Sequence, residues 1–270
     1  MSPTEQTVVI TGASGRIGRA VVPLLRRPGR MLRLVDTNPI EFEPGDDLSW
    51  HDVSIEDGAA MEEVLDGASG LVHLAGLASE RPWADLLRVN VDGTHTVLEA
   101  ARRTGVNRVL LASSIHAVGF QPVAAAADPV PLLPRPDTYY GVSKAAMEAL
   151  GSLYSDRFGM SIVSARICAF TVDPNDGRTN AQWLSPGDMA RLVEASLALD
   201  DGEHHIVWGV SANAPGWFSL EAGFAIGFRP EDGARAVSLE RDGVEPPEAD
   251  AQAPLGGAFT DEHHPVGGTW

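Results

Sequence analysis

The chain has 270 residues, with 37 acidic and 20 basic side chains and a formal net charge of −17. So much acid argues against nonspecific binding to nucleic acid or to an anionic membrane, since both need a basic face to neutralise phosphate. Apolar residues make up 44% of the sequence, too many for a disordered chain. The single cysteine, Cys168, allows neither an intrachain disulfide nor a cysteine-rich zinc site. No basic N-terminal region precedes an apolar run, and polar residues break the longest uncharged stretch, so a soluble cytoplasmic protein acting on a small molecule is expected.

In chain order, the β-branched run at 7–11 predicts a buried strand. A glycine cluster follows, then helical apolar spacing at Ile17, Val21, Val22, Leu24 and Leu25. Further short strands are predicted at 31–35, 71–74, 109–112 and 161–167, with helices over 86–103 and 147–158. Strands alternating with helices imply βαβ units, hence an α/β fold with a doubly wound parallel sheet. Past residue 170 the rhythm changes. Residues 171–179, with Pro174, Asn175, Asp176 and Gly177, are expected to form a loop, 186–199 a helix and 206–210 a strand. After Pro230 the chain is rich in acid, proline and glycine, and is expected to wrap a surface or a neighbouring subunit. The expected division is a dinucleotide-binding domain over 1–170 and a small substrate-binding region with a C-terminal tail over 171–270.

Gly12, Gly15 and Gly18, with Arg16 and Ile17 between the last two, lie between the first strand and the first helix. This spacing suits a tight turn, close approach of backbone to a pyrophosphate, and close packing of helix on sheet. The helix N-terminus would then face the phosphates. Asp36, at the end of the second strand, can accept from both adenosine ribose hydroxyls and would repel a 2′-phosphate, so NAD is the expected cofactor. Arg16 and Arg33 are the residues that could instead favour NADP. Asp52 and Val53, after a third short strand, are placed to meet the adenine.

Of the 20 basic residues, 19 are Arg and one is Lys, Lys144. That lysine closes a Tyr140-Gly141-Val142-Ser143-Lys144 motif, whose ends share one face if the segment is helical. A tyrosine with a free-solution pKa near ~10 is a poor base at neutral pH. An adjacent ammonium and a positive nicotinamide ring would lower that value. Lysine is also compact enough for ribose hydroxyls, where the planar guanidinium is not. Ser114, at the end of the strand that begins near Val109, could polarise the substrate oxygen. Ser114, Tyr140 and Lys144 are therefore the candidate catalytic set.

These features, with His73-Leu74-Ala75-Gly76 and Asn90-Val91-Asp92-Gly93-Thr94, resemble the extended short-chain dehydrogenase/reductase family. The stretches 207–217, 224–230 and 256–259 extend the likeness to its uronate dehydrogenase branch. The resemblance implies a Rossmann domain with a small C-terminal substrate domain. It implies cofactor contacts from Leu74, Ala75, Gly76 and the backbone after Ile167. Asn90 joins the cofactor set, as a tie between the sheet and the active-site strands. Substrate contacts are implied at His116 and at Arg178, which would hold a carboxylate. Three further substrate positions that are small and polar in that branch are Ala78, Ile115 and Ala169 here. Each loses a hydrogen-bonding group, and an unpaired buried sugar hydroxyl costs ~1–3 kcal/mol.

The resulting expectation is an NAD-dependent oxidoreductase that interconverts a ring alcohol or hemiacetal and a carbonyl, like a uronate or aldose dehydrogenase. The alternative is a ketone reductase or alcohol dehydrogenase acting on a less polar, nucleoside-like or specialised ring. A nucleotide-sugar epimerase and a non-catalytic NAD sensor rank below both. The pairs His204-His205 and His263-His264 lack metal-ligand spacing, so no metal is expected. A homo-oligomer is expected.

Overall fold

A computed structural model of the chain describes every residue except 1–5, 40, 41, 43, 44, 175, 176, 215 and 244–249, and leaves the side chains of 177–179 and 242 undescribed. The first half runs β1 (Gln6–Thr11), α1 (Arg16–Leu25), β2 (Arg30–Asp36), β3 (Leu48–Asp52), α2 (Gly58–Leu65), β4 (Gly70–His73), α3 (Trp83–Leu86), α4 (Gly93–Thr104) and β5 (Arg108–Ser114). The second half runs α5 (Tyr139–Phe158), β6 (Ser161–Ile167), β7 (Ala169–Phe170), α6 (Gly177–Gln182), β8 (Trp183–Leu184), α7 (Pro186–Ala198), β9 (His204–Gly209), α8 (Glu221–Ala225) and α9 (Ala234–Asp242).

Seven strands form one sheet in the order β3-β2-β1-β4-β5-β6-β9. Every neighbouring pair in it is parallel. Alternation along each strand sends side chains to opposite faces. In β1, Val8 and Ile10 join a core with Val21 and Val22 of α1 and Leu192 and Val193 of α7. Val9 faces the other way, into a core with Met61 of α2, Val97 and Leu98 of α4 and Met147 of α5. Both faces are thus covered, which is why the strands read as continuous apolar runs.

The order reverses between β1 and β4, and a crevice opens there at the C-terminal ends of the strands. The expected division at residue 170 is not a boundary of this sheet. Helix α7 and strand β9 lie beyond it and complete the layer, because β6 would otherwise be an exposed edge. The expected loop at 171–179 is corrected, since α6 begins at Gly177. Helix α5 starts earlier than its apolar pattern, at Tyr139, because the Thr138 hydroxyl caps it by accepting from Gly141 N at 3.0 Å. A third cluster joins Ile115, Val118, Trp208 and Phe218 to Leu255 of the C-terminal segment. That segment packs on the body: Val123 N donates to Ala253 O at 2.9 Å and Gly256 N to Gly119 O at 2.8 Å.

Candidate active site

The glycine loop lines a cleft of about 730 Å³ together with Asp36, Val53, Leu74, Ala75, Gly76 and Ala78. Gly12 has φ +71°, and a Cβ there would lie 2.5 Å from Ala75 N. A Cβ on Gly18 would lie 2.5 Å from Ala13 O, so only glycine lets α1 approach the loop this closely. Arg16 opens α1, and Arg16 and Ile17 line the same cleft. The volume suits a dinucleotide-sized ligand.

Asp36 is pinned by backbone. Its Oδ2 accepts from Ser14 N and its Oδ1 from Asn38 N, both at 3.0 Å. Arg33, weighed as an NADP ligand, is engaged elsewhere, donating to Val64 O at 2.7 Å and Asp66 O at 2.6 Å. Asp52, expected beside Val53, pairs in register with Asp36 but is exposed and stands outside the cleft lining; Val53 takes that place. Ser14, Thr37, Asn38, Ser54 and Ile55 also line the cleft, and nothing in their spacing marked them.

Ser113 and Ser114 are sorted by the pleat of β5. Ser113 donates to Glu148 Oε1 at 2.6 Å beneath the site. Ser114 lies on the side of Tyr140, and its Oγ accepts from His116 N at 3.2 Å. One turn of α5 separates Tyr140 from Lys144, and both are buried. The Lys144 Nζ donates to Ala112 O at 2.8 Å and lies 5.7 Å from the Tyr140 ring centre. Burial lowers the Lys144 pKa to about 8. Burial also raises the Tyr140 pKa to about 12, opposed by the Ser114 hydroxyl, reinforced by the Asp137 charge and opposed by the Arg16 charge. The expectation that the neighbouring ammonium lowers this pKa is therefore corrected. The ammonium is directed at a backbone carbonyl, and desolvation of the phenolate dominates.

Buried polar groups hold this arrangement. A π-helical turn, Leu87–Asp92, joins α3 to α4 and carries Asn90. The Asn90 amide accepts from Leu77 N at 2.8 Å and donates to Leu77 O at 3.0 Å and Ser143 Oγ at 2.9 Å. It ties the loop after β4 to α5 and is not part of the cleft lining. His73 lies between the hydroxyls of Thr11, 2.7 Å away, and Thr94, 3.1 Å away. Burial lowers its pKa to about 3, so it is a neutral core residue. Glu80, fully buried, accepts from Tyr139 N at 3.2 Å, Tyr140 N at 2.7 Å and Gly267 N at 2.7 Å. Glu148 receives Arg166 Nε at 2.9 Å and Nη2 at 2.8 Å. Glu80 and Glu148 escaped the sequence reading, because an isolated acid on a helix or loop reads as solvated surface.

The substrate-side candidates divide. Ala78 is exposed in the cleft. Ala169 begins β7, paired with Trp183. Ile115 is a correction: its side chain is buried in the cluster with Val118 and Trp208 rather than presented to a ligand. Ile167 ends β6, buried, outside the cleft lining. His116 is half-buried with its ring 5.8 Å from that of Tyr140. The backbone of Arg178 lies in α6, and its side chain is outside the described residues. The histidine pairs have local partners: His204 bonds Ser164 Oγ at 2.9 Å, and His264 bonds Asp261 at 2.7 Å. His205 does gather with Asp201 and Glu203 at the surface, with ligand atoms within 4.8 Å of one another. No described helix is long and apolar enough to cross a membrane.

Residues 8–182 match the model of the NAD dependent epimerase/dehydratase family. A uronate dehydrogenase of Pseudomonas syringae pv. tomato is 34% identical over 254 residues, covering 93% of this chain and 92% of its own. An NAD-dependent glucose-6-phosphate dehydrogenase of Haloferax volcanii is 34% identical, covering 87% and 97%. A crystal structure of a uronate dehydrogenase variant from Agrobacterium tumefaciens complexed with NAD superposes with a TM-score of 0.84, at 32% identity over 97% of this chain and 99% of that one. The glycine cradle and the pinned Asp36 fit the same dinucleotide. The chain belongs to the NAD dependent epimerase/dehydratase family, as an NAD-dependent oxidoreductase of CH–OH groups that resembles the uronate dehydrogenases.

Proposed function

We propose that the chain oxidises the anomeric C1 hydroxyl of a cyclic uronate or aldose to a lactone. The observation that carries this reading is the grouping of Ser114 with the buried Tyr140/Lys144 pair next to a dinucleotide-sized cleft: a Cβ on Gly76, which lines that cleft, would lie 3.8 Å from Lys144 Nζ. The sugar class comes from relatives named for uronates and for glucose 6-phosphate, matched over most of both chains.

When bound, NAD⁺ supplies the acceptor for the C1 hydride. Gly12, Gly15, Arg16, Ile17 and Gly18 would hold its pyrophosphate, Asp36 and Val53 the adenosine end, and Leu74, Ala75, Gly76 and Ile167 the nicotinamide end. Lys144 would hold the ribose hydroxyls, with Asn90 fixing the loop beside it. Tyr140 takes the substrate proton. Its own surroundings hold the phenol at a pKa of about 12, so extra positive charge must act on it before it works as a base near neutrality. Arg16 already acts in that direction, and the nicotinamide charge adds to it. Ser114 donates to the substrate oxygen and orients it. His116 and Arg178 serve the sugar hydroxyls and the carboxylate.

Ala78 and Ala169 offer no hydrogen-bonding side chain, which favours a second reading: oxidation or reduction of a less polar ring. An absorbance assay separates the two. Galacturonate, glucuronate or an aldose plus NAD⁺ should give NADH, with NADP⁺ a poor substitute because of Asp36. No NADH from any of them, together with NADH consumption on a ring ketone, would select the second reading. The same proposal assigns residues 1–170 chiefly to the cofactor and 171–270 chiefly to the substrate side. It includes a cytoplasmic location and a homo-oligomeric state, the latter testable by size-exclusion chromatography with light scattering.

A further inference from the structure

After Ser114 the chain enters a short 3₁₀ turn, Ile115–Val118, which carries His116. The His116 Nδ1 lies 2.7 Å from Asp137 Oδ2. The Asp137 side chain is fully buried, while His116 keeps 15% exposure. The other Asp137 oxygen accepts from the Thr138 hydroxyl at 3.0 Å. Thr138 also caps α5, so the acid that meets His116 is anchored where the Tyr140 helix begins.

Glycines make room for the carboxylate. A Cβ on Gly119 or Gly256 would overlap Asp137 Oδ2, and one on Gly141 would lie 3.0 Å from Oδ1. Gly256 belongs to the C-terminal segment. Three residues further along that segment, the Phe259 ring stacks on His116 with centres 3.9 Å apart. Trp270 meets the other ring edge-on, 4.6 Å from Phe259. The imidazole is thus fixed in direction by Asp137 and in plane by Phe259.

An ionised carboxylate can only accept hydrogen bonds, so Nδ1 must carry a proton. In the neutral ring that leaves Nε2 as an acceptor, and it has no protein partner among the described residues. An acceptor on a ring whose centre lies 5.8 Å from that of Tyr140 suits a substrate with a second hydroxyl close to the reacting one.

We propose that Asp137 is a positioning residue, which holds His116 in the Nδ1–H form so that Nε2 accepts from a second substrate hydroxyl, with Gly256 and Phe259 completing the holder. This rests on the sugar-oxidising reading and narrows it: the substrate is a polyhydroxylated ring, and a simple ring alcohol lacks the second donor.

Asp137→Asn is an informative change. Thr138 donates to Oδ1, so the amide carbonyl would keep that place and the NH₂ would face Nδ1. The ring must then carry its proton on Nε2 and lose its acceptor. Ring-nitrogen NMR, with His116→Gln identifying the signal among the 8 histidines, should show a protonated Nδ1 in the native chain and a protonated Nε2 in Asp137→Asn. In turnover, Asp137→Asn should raise KM about ten-fold without lowering kcat, since the charge it removes opposes ionisation of Tyr140. In a His116→Gln background the same change should add nothing to KM. A protonated Nε2 in the native chain would overturn the proposal. So would a KM effect that persists undiminished without His116. If no sugar is oxidised, the sugar reading fails, while the NMR result still decides how Asp137 holds the ring.

Discussion

Lys144→Met isolates what the single lysine costs the fold. The side chain is buried, and methionine keeps most of its volume without the charge. Burial lowers the ammonium pKa from 10.5 to about 8, which corresponds to ~3 kcal/mol of folding free energy lost while the lysine is charged. Below pH 8 the lysine is charged in both the folded and the unfolded chain, and the full cost applies. Between pH 8 and 10.5 the folded chain has released the proton and the unfolded chain still holds it, so the cost fades as pH rises. The hydrogen bond to Ala112 O, worth ~1–2 kcal/mol, disappears in the variant and offsets part of the gain. The net expectation is a protein ~1–2 kcal/mol more stable than wild type near pH ~7, with the difference falling to about zero near pH ~9.5. Tyr140 and Tyr154, both raised to about 12, titrate later and equally in the two proteins. Urea unfolding at the two pH values measures the difference, and NADH formation should be abolished throughout. Equal or lower stability at neutral pH, or a difference that does not change with pH, would refute the reasoning.

Gly18→Ala should cost ~1–3 kcal/mol, because its Cβ would meet the Ala13 carbonyl at 2.5 Å, and should weaken NADH binding in a fluorescence titration. Glu80→Gln turns one acceptor oxygen toward amide donors as an NH₂, so it should lower stability by ~2–3 kcal/mol and reduce kcat by loosening the first turn of α5, as thermal unfolding and steady-state kinetics would show. Glu148→Gln leaves the Arg166 guanidinium buried without its counter-charge, and a loss of ~3–5 kcal/mol should appear in urea unfolding.

The sheet and the cofactor loop were legible because their signals are local. A β-branched run, three glycines and an acid at a strand end each act through backbone geometry within a few residues. The Tyr140/Lys144 pair was legible for the same reason: one helical turn defines it. What escaped the sequence acts across the fold. Glu80 reaches α5 and the C-terminal segment, Asp137 reaches His116, and Glu148 joins α5 to β5 and β6. Ile115 shows the opposite failure: the family resemblance implied a ligand contact there, but the turn after β5 directs it into an apolar cluster. The start of α5 was misplaced because its first turn is anchored by Thr138 and Glu80, not by an apolar stripe. The sign of the Tyr140 shift depends on burial, which composition does not report.

Glu80 carries a consequence for how this fold tolerates change over evolutionary time. The N–H groups it holds are all main-chain, and any residue but proline supplies one. The clamp therefore has a side-chain identity at one end only. Substitutions at Tyr139 can come and go without disturbing it, and no compensating exchange is needed when they do. In a set of diverged sequences such a contact would show as a constrained acid with no covarying partner. The join between the start of the Tyr140 helix and the C-terminal segment would then be visible in three dimensions and silent in correlated mutation.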